Sequence, residues 1–325
     1  MKDAIRGWWF EGDDPMPWRE VAITTLAVAV PPVLAILAFG RMGAVAFIAS
    51  LAAHLSAKDE GVLTGTVVSL VLVISGLLSL GDPDLALLTA ASLGIMTGIC
   101  GLRGMARPPL RALITWTVFT SPILPATEKP LLFALFILAM VWSLGVTHVF
   151  GQSRTTGDED QESAEYALVF GIAFAVGLTL SVYIGGRYFG DHGFWFPLTF
   201  VVLCLPPHGR LFRRTLKRTV GTVLGTAAAV AVALVSEATW LVVTLGAVSL
   251  PLAFRMLPYS YTIFTAMLTI CVLELLALVS PVSTLAAERL YTMAAAAAMT
   301  YALGIVGYGV LMILKPDAAR TLREG

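Results

Sequence analysis

Between Glu20 and Leu314 the chain is a succession of apolar runs separated by short charged or glycine-rich turns. A helix that crosses a bilayer needs about 20 apolar residues at about 1.5 Å each, and runs of this kind recur twelve times. Their approximate limits are 20–39, 43–56, 61–80, 84–101, 110–125, 130–150, 166–188, 193–206, 218–236, 239–254, 259–279 and 289–314. Stretches such as Val67-Val68-Ser69-Leu70-Val71-Leu72-Val73-Ile74 do not alternate apolar with polar residues, so barrel strands are excluded. The sequence therefore predicts an all-α integral membrane protein of twelve transmembrane helices.

Composition agrees. Of 325 residues 58% are hydrophobic and 13% charged, against about 45–50% and about 25% in soluble domains. A formal net charge of zero argues against nucleic-acid binding, which shows as a basic excess. Cys100, Cys204 and Cys271 all lie within apolar runs and read as small hydrophobes rather than disulfide partners. No small-residue cleavage site follows the first run, so no cleavable signal peptide is expected, and Trp8-Trp9-Phe10 reads as an interfacial aromatic anchor.

Charge sets the orientation. With the N-terminus in the cytoplasm, only Arg41, Lys129, Arg187 and Arg289 of the 21 Lys and Arg fall outside, a bias that the positive-inside rule reads as both termini cytoplasmic. The second and eighth runs are short. Gly43 to Leu55 makes roughly 20 Å of helix against roughly 30 Å of hydrocarbon, so both are read as short crossings shielded by neighbours.

The two halves repeat one another's landmarks in order. Gly40-Arg41-Met42-Gly43 precedes run two and Gly190-Asp191-His192-Gly193 precedes run eight; Gly61 and Gly65 correspond to Gly221 and Gly225. Arg103 and Pro108 correspond to Arg255 and Pro258, and Ala126-Thr127-Glu128-Lys129 to Ala286-Ala287-Glu288-Arg289. An even number of helices per half makes these parallel repeats. The expected organisation is a cytoplasmic segment 1–19, a six-helix repeat 20–150, an acidic cytoplasmic linker 151–165, a second six-helix repeat 166–314 and a tail 315–325, with no soluble domain.

Gly193-Phe194-Trp195-Phe196-Pro197-Leu198-Thr199, then Arg213-Arg214, then Arg218-Thr219-Val220-Gly221-Thr222-Val223-Leu224-Gly225 resembles the signature of the fusaric-acid-resistance-like family, within the aromatic acid exporter superfamily. The likeness is best over about 166–310 and looser over 20–150. It implies six-helix bundles, often two per chain, that export organic or aromatic acids; plant aluminium-activated malate channels are relatives. Longer exporters of the family carry sizeable cytoplasmic domains after each bundle, and here the linker and tail leave no room for them.

Short or interrupted helices at matching repeat positions point to a transport site. Pro197 interrupts run eight, and Trp195, Phe196 and Thr199 offer aromatic surface and a hydroxyl to a ring-bearing carboxylate; their other reading is helix packing. Arg218 abuts the glycine-rich helix and is assigned to substrate binding, while Arg210, Arg213, Arg214 and Lys217 form a cationic face that sets topology or gathers anions. Gly221 and Gly225 are read as close-packing positions. Glu274 is a carboxylate inside an apolar run, and such residues are functional by default. It reads as a proton carrier reached by Arg289 and its neighbour Glu288, or as half of a static pair. His192 beside Asp191 reads as a protonatable outer gate or as a solvated pair.

No nucleophile–base, nucleotide or metal spacing is present, so neither an enzyme nor a cofactor is expected. The preferred function is proton-driven export of a small organic anion across a bacterial inner membrane. An anion channel and a non-transporting assembly protein are the alternatives, and a homo-oligomer is left open.

Overall fold

A computed structural model describes residues 8–11, 13–122, 124–152, 164–205, 211–235, 238–277 and 280–316. The acidic stretch of the linker, Arg210 of the cationic face and the tail beyond Pro316 lie outside them. The described chain carries twelve α-helices. They are α1 (Trp18–Phe39), α2 (Ala44–Glu60), α3 (Val62–Ser79), α4 (Pro83–Gly101), α5 (Arg107–Trp116), α6 (Lys129–Val149), α7 (Ala164–Tyr188), α8 (Trp195–Leu203), α9 (Leu211–Val235), α10 (Thr239–Met256), α11 (Tyr261–Leu276) and α12 (Val282–Leu314). Each apolar run has become one helix, and the protein is an all-helical, multi-pass membrane protein.

Seven helices among the described residues, rather than twelve, are long and apolar enough to span a bilayer: α1, α3, α4, α6, α7, α9 and α12. The correction is one of length. α5 has 10 residues and α8 has 9, or about 15 Å and about 14 Å at the helical rise, half the hydrocarbon thickness. The 25-residue α9 starts before its apolar run, and the 33-residue α12 absorbs the expected loop at Glu288 and Arg289.

By contact the chain separates into two compact units: Met1–Thr25 with Arg213–Ala294, and Leu26–Phe212 with Ala295–Gly325. This grouping by packing differs from the division at the acidic linker, which is one of sequence.

In the second unit the short helices are the core. α8 buries Trp195, Phe196, Phe200, Val201 and Leu203, and α2 buries a face of Ala46, Ala49, Ser50, Ala53 and Ala57. Helix ends that stop short of the headgroups carry unsatisfied backbone groups, so burial by longer helices is the arrangement lipid permits. α4 and α7 meet almost backbone to backbone: a Cβ on Gly98 would lie 2.8 Å from the Gly171 Cα, and one on Gly94 2.6 Å from the Ala175 Cα. Small residues allow this approach, the usual route to helix association in lipid.

The corners before α2 and α8 have the same construction. Each is a 3₁₀ turn, Gly40–Gly43 and Gly190–His192, opened by a glycine with positive φ, 58° at Gly40 and 64° at Gly190. A Cβ at Gly43 would collide with the Ala35 and Ile36 backbone, and one at Gly193 with that of Gly185. The other repeat landmarks diverge. Gly61 is the cap between α2 and α3 with φ 90°, whereas Gly221 sits inside α9.

Candidate functional site

In the first unit, α9 and α11 pack along a glycine–threonine seam. A Cβ on Gly221 would lie 2.5 Å from the Thr262 carbonyl oxygen and 2.8 Å from the Thr265 Cβ; one on Gly225 would strike the Ala266 carbonyl and lie 2.8 Å from the Thr269 Cβ. The packing role expected of these glycines is thus present.

What the seam carries is polar. Arg218, Thr222 and Thr226 recur every four residues and form one stripe of α9, and Thr262 and Thr265 lie on α11. All five are at most 3% exposed. Arg218 Nε and the four threonine hydroxyl oxygens have no hydrogen-bond partner. Glu274, further along α11, is 1% exposed and its Oε1 is equally unpartnered. Buried polar atoms are nearly always satisfied, so these groups are candidates for contact with water, an ion or a substrate.

Arg218 Nη1 donates to the Tyr261 hydroxyl at 3.2 Å. Arg218 and Arg289 are near enough to feel each other's charge, and both are buried. The expected contact between Glu274 and Arg289 is not made; Glu274 has no ionic partner among the described residues. Glu288 precedes Arg289 within α12, and its carbonyl accepts from Thr292 Oγ1 at 2.8 Å.

Residues Trp9–Glu11, Met16 and Trp18 lie against the α10–α11 turn of the same unit. Lys217 Nζ donates to Glu11 Oε1 at 2.6 Å, and the Tyr261 N–H donates to Glu11 Oε2 at 3.2 Å. Ser260 Oγ donates to the Trp9 carbonyl at 2.7 Å, and the Met16 N–H to the Arg255 carbonyl at 2.9 Å. Arg255 lies 4.4 Å over the Trp18 ring, and Phe10 packs on Tyr259 at 4.8 Å. Trp9 and Phe10, expected at the membrane interface, are therefore engaged with the protein.

In the second unit α8 holds Trp195, Phe196, Pro197 and Thr199. Pro197 is the third residue of α8, in the first turn, where its missing N–H leaves no bond unmade. It starts the helix and does not interrupt it, which corrects the expectation. Trp195 stacks on His192 at 5.0 Å, and Phe196 meets Phe189 edge to face at 5.6 Å. Thr199 is fully buried.

Two cavities flank these residues. One, of about 790 Å³, is lined by Asp82, Ser121, Arg187, Asp191 and Phe194 among others, and the Asp191 carbonyl accepts from Ser121 Oγ at 3.0 Å. Asp191 thus lines the first cavity, while His192 stacks on Trp195. The other, of about 570 Å³, is aromatic. Tyr166, Phe170, Phe174 and Phe200 stack in sequence at 6.3, 5.7 and 5.8 Å between rings, each pair within 16° of parallel. Phe200 of α8 and Cys204 just after it, one and two turns beyond the expected aromatics, line this cavity.

Sequence reasoning missed the threonine file and Glu11. The four-residue spacing Arg218, Thr222, Thr226 was present as a signal, but threonines are common in membrane helices and nothing local distinguishes a seam from a surface.

Residues 166–303 match the family described as fusaric acid resistance protein-like. This stretch, α8 and the α9 stripe included, is similar to that family, in the region where the motif lies. No curated protein and no solved structure matches the chain. The family and the apolar helices together fit a membrane transporter.

Proposed function

We propose that this protein exports small carboxylic acids, aromatic ones among them, along the α9–α11 seam and draws on the proton gradient through Glu274. The observation that carries the reading is the file of buried, unpartnered polar groups running from Arg218 through Thr222, Thr226, Thr262 and Thr265, with Glu274 further along α11. A guanidinium at one end recognises a carboxylate, the hydroxyls replace its hydration, and a carboxyl group buried in a membrane helix has the character of a proton carrier. Arg289 adds a second buried cation near Arg218 and supports its role as a partner of the passing anion.

In this reading Asp191 and His192 border the outer mouth. Trp195, Phe196, Pro197 and Thr199 hold α8 so that Phe194 and Phe200 face the two cavities. The matching glycine corners at Gly40 and Gly190 support two parallel six-helix repeats, 20–150 and 166–314, with α2, α5 and α8 completing the bundle as short, shielded elements. The location we assign is the inner membrane with both termini cytoplasmic.

The two buried arginines also favour a second reading, an anion channel, because cationic side chains inside a pore select anions. One experiment separates the two. Proteoliposomes loaded with a panel of aromatic and aliphatic carboxylates are given a pH gradient, and wild type is compared with Glu274→Gln. Gradient-driven efflux that disappears in the variant supports the exporter. Efflux indifferent to the gradient and to Glu274 identifies the channel, and no carboxylate movement at all refutes both.

A further inference from the structure

The contact between Glu11 and Lys217 has an uneven construction. Lys217 is 2% exposed and Glu11 26%, so a buried cation on α9 is met by a carboxylate delivered from a chain segment outside the helices. Both carboxylate oxygens are used, one on the Lys217 ammonium at 2.6 Å and one on the Tyr261 N–H at 3.2 Å. Tyr261 is the first residue of α11, whose N-terminus carries the positive end of a 16-residue helix dipole. Arg218 is adjacent, donating to the hydroxyl of that same Tyr261 and holding a buried Nε without a partner. An ammonium and a helix N-terminus thus converge on one carboxylate, and the residue that links them, Tyr261, also holds the Arg218 guanidinium by its hydroxyl.

We propose that this is a carboxylate-binding site at the entrance to the α9–α11 seam, that Glu11 is its tethered occupant, and that a small organic carboxylate enters by displacing it. The inference rests on the transport reading for its direction, and its binding step is measured without transport. Displacement is coupled to entry by electrostatics. Removing Glu11 leaves the Lys217 ammonium buried and unpaired, which is strongly unfavourable unless another anion takes its place. The segment that carries Glu11 then acts as a competitive brake, because a tethered ligand competes at an effective concentration of order millimolar.

The test is equilibrium dialysis of tritiated benzoate against the purified full-length protein in detergent. Glu11→Gln is expected to bind benzoate about tenfold more tightly than wild type, in line with release from a tethered competitor, and Glu11→Asp to bind as wild type does. Adding Lys217→Met to Glu11→Gln is expected to abolish the gain, and benzyl alcohol, which lacks the carboxylate, to bind equally to all. An unchanged affinity in Glu11→Gln, or a gain that survives Lys217→Met, overturns the proposal and assigns the pair to holding the segment in place. Inorganic phosphate that displaces benzoate as well as unlabelled benzoate does also overturns it, in favour of a general anion or headgroup site. A gain in binding without efflux from proteoliposomes keeps the site and removes the transport reading; efflux with no effect of Glu11 does the reverse.

Discussion

At the scale of single residues, the informative groups are those the fold leaves unsatisfied. Thr222 and Thr226 keep buried hydroxyls with no partner, each a cost of about 1–3 kcal/mol that a structural role would not require. Replacing both by valine, nearly the same shape, is expected to raise thermal stability in detergent by about 1 kcal/mol per site while lowering efflux in proteoliposomes. A destabilised pair with full transport would show the hydroxyls to be structural. Arg218→Lys keeps the charge but loses the planar donor set. It is expected to retain folding and to weaken benzoate binding by about tenfold, the worth of one charge-assisted hydrogen bond at about 1.4 kcal/mol, as read by the same dialysis measurement.

At the scale of helices, spacing between backbones decides what each position tolerates. Gly225 faces the Ala266 carbonyl, whereas Gly309 on α12 has nothing within 4 Å of an added Cβ. Gly225→Val is expected to cost about 1–3 kcal/mol through overpacking. Gly309→Ala is expected to be neutral or to stabilise by up to about 1 kcal/mol through helix propensity. Melting curves of the two variants measure the contrast, and equal effects would dissolve the α9–α11 seam as described. The corners make a parallel case. Gly40 and Gly190 both have positive φ, so alanine at either is expected to cost about 1–2 kcal/mol, read from the same melting curves. The run pattern located the twelve described helices, because apolar length is written directly in sequence, but not which seven of them are long enough to span. It misjudged Pro197, since a proline two residues into a helix and one in its middle look alike until the helix start is known.

At the scale of the whole molecule, the distribution of cations predicts a topology with both termini cytoplasmic. In a cysteine-free background, with Cys100, Cys204 and Cys271 replaced by serine, a membrane-impermeant thiol reagent is expected to label Asp14→Cys only from the cytoplasmic side and Asp84→Cys only from the opposite side. Both positions are exposed. Labelling of the two from one side would overturn the orientation. The contacts of Glu11 with Lys217 and Tyr261 bring the chain around Glu11, the start of α9 and the α10–α11 turn together. What the amino-acid sequence determined alone is the membrane-helical class, the place of the described helices and the family match at 166–303, because each depends on apolar length or local motif. The partners of those helices were decided only in three dimensions. Periodicity shows which face of α9 carries Arg218, Thr222 and Thr226, but not that α11 covers it. Nor does it show that Glu11, some two hundred residues away, supplies the anion for Lys217. Buried polar groups find partners through packing between distant segments, and no spacing along the chain records that choice.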